Sequence, residues 1–153
     1  MFIQSKVQLT PEIKEQIRAI WNNEYPLSIA HATLESFENY LSSLENPTHF
    51  LVLENDSIVA WGVTFDRENE RWFALIIDRN FQGKGFGKEL LQQMKLKESF
   101  LNGWVVIKND SLRSDGTPYP LPLDFYLKNG FQKTEHIFET EIFTTQKITW
   151  TKI

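Results

Sequence analysis

Three glycines take alternate positions in the stretch NFQGKGFGKELL, residues 80–91: Gly83, Gly85 and Gly87. The chain has seven glycines in all, so this short turn concentrates much of its backbone freedom. An apolar, strand-like run stands just before the turn. After it, Phe86, Leu90, Leu91 and Met94 recur at helical spacing. A strand-to-helix junction of this kind presents unpaired N–H groups and the positive end of a helix dipole, and together these hold an anion. Lys84 and Lys88 add positive charge. The same glycines also suit a tight turn with no ligand, and the stretch alone leaves the two readings level.

Spacing excludes the two best-known nucleotide loops. A triphosphate-binding loop needs four residues between its first glycine and Gly-Lys-Ser/Thr; here Gly83 and Gly87 are too close, and Glu89 stands where the hydroxyl is required. A dinucleotide loop needs G-x-G-x-x-G after the first strand of a parallel unit. Here the spacing is G-x-G-x-G, after a run of expected antiparallel strands. Other chemistries are closed as well. The chain has no cysteine, which removes a thiol nucleophile, disulfides and cysteine-based metal sites. His31, His49 and His136 show no metal-ligand spacing, so no metal site is expected. The formal net charge of -4 argues against a nucleic-acid surface.

The elements that must position these residues are legible from periodicity. MFIQSKVQL reads as a first strand. Thr10 and Pro11 open a helix carrying Ile13, Ile17, Ile20 and Trp21 on one stripe. A second helix is expected from about Thr33 to Leu44, ended by NPT. HFLVLEND and SIVAWGVTFD form a hairpin about Asn55 and Asp56, and RWFALIID follows as a buried strand. Beyond the glycine turn come a helix to about Ser99 and the strand GWVVIKN. A proline-rich loop, a short helix LDFYLKN and two closing strands complete the chain. The expected fold is α/β (α+β), with a mixed, mainly antiparallel central sheet of about seven strands and helices on both faces. One domain over residues 1–153 is expected from the length. The apolar runs are too short to span a bilayer, and the N-terminus lacks the basic, apolar and cleavage regions of a signal peptide. With no cysteine, this fits a cytoplasmic protein.

A third loop pattern does match. Gln82-Gly83-Lys84-Gly85-Phe86-Gly87 fits [Arg/Gln]-x-x-Gly-x-[Gly/Ala] and resembles the acetyl-CoA loop of the GCN5-related N-acetyltransferases, the GNAT superfamily. DFYLKNGFQKTE is similar to that family's C-terminal block, with Tyr126, Gly130 and Phe131 in register. The resemblance covers the order of elements from end to end, although only these two blocks are specific. It implies transfer of an acetyl group from acetyl-CoA to a primary amine on a small molecule, a peptide N-terminus or a lysine. The alternative is an acyl-CoA-binding regulatory domain without turnover. Coenzyme A would be bound by Gln82, Gly83, Lys84, Gly85, Phe86, Gly87 and Lys88, by the strand at Leu75, Ile76 and Ile77, and by the amide of Asn109. Tyr126 is the implied proton donor to the leaving thiolate. Glu70 aligns with a glutamate base of some relatives, although DRENE also reads as an ordinary solvated turn; Asp66 and Asp78 are lesser rivals. Tyr25, His31, Trp72 and Tyr119 are the implied acceptor-pocket residues, with Trp21, Trp61 and Phe73 as further aromatic candidates. Glu24 and Glu35 would either attract an amine or lie on the surface. Without a cysteine no acetyl-Cys intermediate forms, which favours direct attack in a ternary complex. No nucleic acid or membrane partner is expected, and either a monomer or a homodimer is compatible with the sequence.

Overall fold

The computed structural model describes residues 2–6, 8–109, 112–141 and 143–153. Strand β1 (Phe2–Lys6) is followed by helices α1 (Pro11–Glu24) and α2 (Leu34–Ser42). Strands β2 (Glu45–Glu54), β3 (Ser57–Arg67) and β4 (Glu70–Ile77) then form an antiparallel meander. Helix α3 (Phe86–Lys97), β5 (Phe100–Asn109), α4 (Leu123–Lys128), β6 (Gln132–Glu139) and β7 (Phe143–Thr151) complete the order. One seven-stranded sheet runs β1-β2-β3-β4-β5-β7-β6, and every neighbouring pair is antiparallel except β4 with β5. The expected fold class is therefore the observed one.

Local chemistry explains the boundaries. The Thr10 and Thr33 hydroxyls accept hydrogen bonds from the Ile13 and Ser36 N–H groups, capping α1 and α2. Asn55 and Asp56 take positive φ (50° and 65°), as do Glu68 and Asn69 (52° and 63°), the geometry of two-residue hairpins. Two boundaries differ from expectation. Asn46-Pro47-Thr48 does not merely end α2; it lies inside β2, where a register shift between Glu45 and Thr48 accommodates a proline that cannot donate to the ladder. Strand β5 starts at Phe100 rather than Gly103, because Phe100, Leu101 and Asn102 pair with β7.

The sheet separates two apolar layers. On one face Phe86, Leu90, Leu91 and Met94 of α3 pack with Phe50, Val52, Phe73, Leu101 and Ile148. On the other, Ile17, Ile20 and Trp21 of α1 and Phe37 and Leu41 of α2 cover Leu51, Trp61, Val63 and Trp72. Trp61 is thus core rather than pocket. His49 sits within β2, buried beneath α1 and α2. The Trp61 Nε1–H donates to His49 Nδ1 at 3.0 Å, which requires that nitrogen to be unprotonated. Burial, with the charge of Lys14 adding to it, pushes the His49 pKa down to about 4.

Because the folded pKa lies below the ordinary 6.5, protons bind the unfolded chain better. Stability from this group is intact above pH ~6.5 and is lost as pH falls from there toward 4, by about 3 kcal/mol. Urea midpoints measured across that range should slope less steeply in a His49→Leu variant than in the parent; parallel slopes would refute the assignment.

Candidate active site

A cavity of about 580 Å³ opens between β4 and β5. These parallel strands are paired only at Trp72 and Asn102. Past that point β4 stays on β3, as far as Ile77 opposite Ala60, while β5 follows β7 to Asn109 opposite Phe143. Phe73–Ile77 and Trp104–Val106 therefore become opposing walls of a wedge. Its closed end is clamped. Asn102 Nδ2 donates to Glu70 Oε2 at 2.9 Å, Lys147 Nζ lies 3.8 Å from Glu70 Oε1, and Trp72 stacks on Trp104 with centroids 5.8 Å apart. Glu70 and Trp72 serve this joint, and neither lines the cavity.

The wedge exposes alternate backbone groups of β4. The Asp78 N–H donates to Val59 O, so the even-numbered residues turn their backbone toward β3. Ile76 is one of these. Leu75 and Ile77 turn theirs toward the gap, where the Tyr25 hydroxyl donates to Leu75 O at 3.2 Å and Gln82 Nε2 to Ile77 O at 2.9 Å. Of the three strand residues singled out from sequence, only Leu75 and Ile77 present N–H groups to the wedge.

The wedge runs into the glycine turn. Gly83 and Gly85 hold φ of 76° and 86°, left-handed values that favour glycine, and a Cβ on either would meet nothing within 4 Å. The space above them is open, and Gly85 caps α3 without a side chain to compete for its N–H groups. Gly87 has a different role: a Cβ there would lie 2.8 Å from both Ile77 Cδ1 and Phe125 Cζ, so it lets α3 pack close to β4 and α4. Lys88 lines the cavity, whereas Lys84 lies over the Phe81 ring and does not. This open cradle of N–H groups fits the pyrophosphate of coenzyme A. The side chain of Asn109 lies outside the described residues.

Tyr126 projects from α4 among Phe73, Phe125 and Phe131. Its hydroxyl bonds to no described residue, yet no buried side-chain polar atom among them lacks a partner. The oxygen therefore faces the cavity that Tyr126 lines. Burial raises its pKa well above the usual phenol value. A free phenol near ~10 is already a weaker acid than a thiol near ~8.5, so complete transfer of its proton to a thiolate is uphill, and burial steepens the climb. Tyr126, the expected proton donor, is thus protonated and neutral at ordinary pH.

Opposite stand Trp21, Tyr25, Tyr40 and Tyr119, with Tyr25 and Tyr119 rings 6.3 Å apart. Burial pushes Tyr40 and Tyr119 up to about 12 and Tyr25 well above its usual value, so this wall is uncharged. His31 is not part of it: its ring packs on Trp21, Phe37 and Tyr40, with Nδ1 2.8 Å from Ser36 Oγ. Glu24, read from sequence as surface or amine lure, is buried and fully engaged. Arg113 Nη1 donates to its Oε1 at 3.1 Å; the Arg79 N–H and Nε donate to its Oε2 at 2.9 and 3.2 Å. Arg79 also pairs with Asp115. This network ties α1, the turn at Arg79–Phe81 and the proline-rich loop together. Sequence carried no signal for it, since its partners lie far apart along the chain.

Residues 46–133, more than half of the chain, match the family model described as an Acetyltransferase (GNAT) domain, and the chain belongs to that family. No curated protein sequence matches it. Among solved structures, an aminoglycoside 6'-N-acetyltransferase complexed with coenzyme A superposes at TM-score 0.75 with 11% identity, covering 100% of this chain and 98% of that one. The aminoglycoside 6'-N-acetyltransferase from Enterococcus faecium gives 0.72 at 11% identity, covering 100% and 98%. The ribosomal-protein-alanine N-acetyltransferase from Brucella melitensis gives 0.68 at 16%, covering 99% of both chains. At these identities the likeness is one of fold.

Removing Glu24 would leave two guanidinium groups facing each other. Breaking a buried pair costs ~3–5 kcal/mol, and the partial exposure of Arg79 brings the expectation to about 2–3 kcal/mol. Glu24→Gln should lower the urea midpoint accordingly and speed proteolysis within residues 112–122. A variant with unchanged stability and an equally protected loop would count against the network.

Proposed function

We propose that residues 1–153 form one acetyl-CoA-dependent N-acetyltransferase domain acting on a primary amine by direct attack in a ternary complex. The observation that carries this is the continuity of the site: one cavity joins the open N–H cradle at Gly83 and Gly85, the Leu75 and Ile77 backbone and the Tyr126 hydroxyl.

The acyl donor brings an activated thioester. Gly83, Gly85, Phe86, Gly87 and Lys88 would hold its pyrophosphate, and Gln82 keeps the turn against β4 through its bond to Ile77 O. The pantetheine arm would lie along the free edge of β4, as an added strand does. There the Leu75 and Ile77 N–H groups would stabilise the thioester oxygen as it gains charge. In the transfer a C–N bond forms and the C–S bond breaks. The nitrogen loses a proton and the sulfur ends as a thiol. Tyr126 would donate a hydrogen bond to sulfur as charge develops there. Glu70 is committed to Asn102 and Lys147, so the proton from nitrogen would leave through water rather than to that carboxylate. Tyr25 and Tyr119 would hold the acceptor.

The lack of a free carboxylate among the described lining residues also favours a second reading, an acyl-CoA-binding domain without turnover. Thiol release from acetyl-CoA over a panel of amines separates the two. The expected outcome is turnover with at least one amine, reduced ~10-fold to ~100-fold in kcat by Tyr126→Phe with little change in the KM for acetyl-CoA. Thermal stabilisation by coenzyme A with no turnover would move the assignment to the binding domain. No stabilisation at concentrations far above a typical Kd would dismiss both.

The glycine cradle gives a separate expectation. Gly85→Val forces a β-branched residue to φ of 86° without meeting a neighbour, so it should abolish the coenzyme A shift while costing only a modest part of the fold's stability. Retained coenzyme A binding in a folded Gly85→Val protein would remove the pyrophosphate assignment.

A further inference from the structure

The acceptor wall is aromatic and its charges are spent. Its side chains come from Trp21, Tyr25, Ile29, Tyr40, Tyr119 and Pro120. Burial keeps Tyr25, Tyr40 and Tyr119 neutral. Among the described residues that line the cavity, Glu24 is the sole carboxylate, and both its oxygens already receive arginine donors. The cationic lining groups are Lys88 and Arg113.

We infer that the acceptor is a monoamine carried on an aryl or other flat apolar body, and not a polycation. This rests on the N-acetyltransferase reading above and specifies its substrate class. An apolar ring entering the wedge buries its surface against the faces of these rings and the aliphatic side chains between them. One ammonium group is tolerated on approach, since the ring faces attract a cation, and it must in any case lose a proton to attack. Among the described lining residues a second or third ammonium has no free carboxylate to meet. It would be desolvated unpaired. A polyamine or an aminoglycoside therefore loses affinity with every charge it brings. Glu24 cannot be recruited to help, because freeing it would take from Arg79 and Arg113 their shared counter-ion.

The test compares 2-phenylethylamine, spermidine and kanamycin as acceptors with saturating acetyl-CoA at physiological ionic strength. The expected result is a kcat/KM for 2-phenylethylamine at least ~10-fold above either polycation. Equal or better use of spermidine or kanamycin overturns the inference. Binding to the coenzyme A-loaded protein, followed by tryptophan fluorescence, is the second readout. If nothing turns over but 2-phenylethylamine binds and the polycations do not, the pocket assignment stands and the enzyme reading falls. If 2-phenylethylamine does not bind, the inference falls, whatever the coenzyme A thermal shift shows for the cradle.

Discussion

The whole candidate site depends on a failure of pairing. β4 and β5 meet at one position and then part, each held by its other neighbour. Sheet twist alone would not hold such a gap open at a fixed angle. The clamp does so from the closed end: Asn102 and Lys147 hold Glu70, Trp72 stacks on Trp104, and the Phe73 ring fills the place a side chain at Gly103 would take. The gap leaves backbone N–H groups of β4 unspent inside an otherwise satisfied sheet, and unspent donors in a sheltered wedge are what a thioester oxygen needs.

The two ends of the wedge are built from different physics. At one end the backbone is what an anion would meet, and glycine suits it because side chains at Gly83 and Gly85 would be strained and would occupy the cradle. At the other end side chains form a wall of buried phenols and indole. The Glu24 network connects the ends mechanically, since Arg79 precedes the glycine turn and Arg113 lies in the loop that carries Tyr119. Its ionic groups are structural partners of one another, which leaves the wall between them uncharged.

Much of the fold was legible because periodicity reports burial. Ile13, Ile17, Ile20 and Trp21 marked one face of α1, and the near-continuous apolar run at 72–77 marked a strand covered on both sides. The glycine spacing and the Tyr126 block were legible because backbone geometry and a short helix impose them locally. Four of the proposed side-chain roles shifted once distances were known, Lys84 among them, since it lies over the Phe81 ring and outside the cavity. Glu70 and Trp72 belong to the clamp and His31 to the α1–α2 packing, although each stands beside the right element in sequence.

The sequence by itself determined where an anion could be held, because positive-φ glycines at a helix start are a local requirement written in consecutive residues. It also excluded any route through a cysteine. Tertiary structure alone decided which strand edge is free, which carboxylate is spent and which rings face one another. Those facts arise between residues such as Glu24 and Arg113, or Glu70 and Asn102, that only folding brings within hydrogen-bond distance. Periodicity can say that a residue is buried, but not what it is buried against.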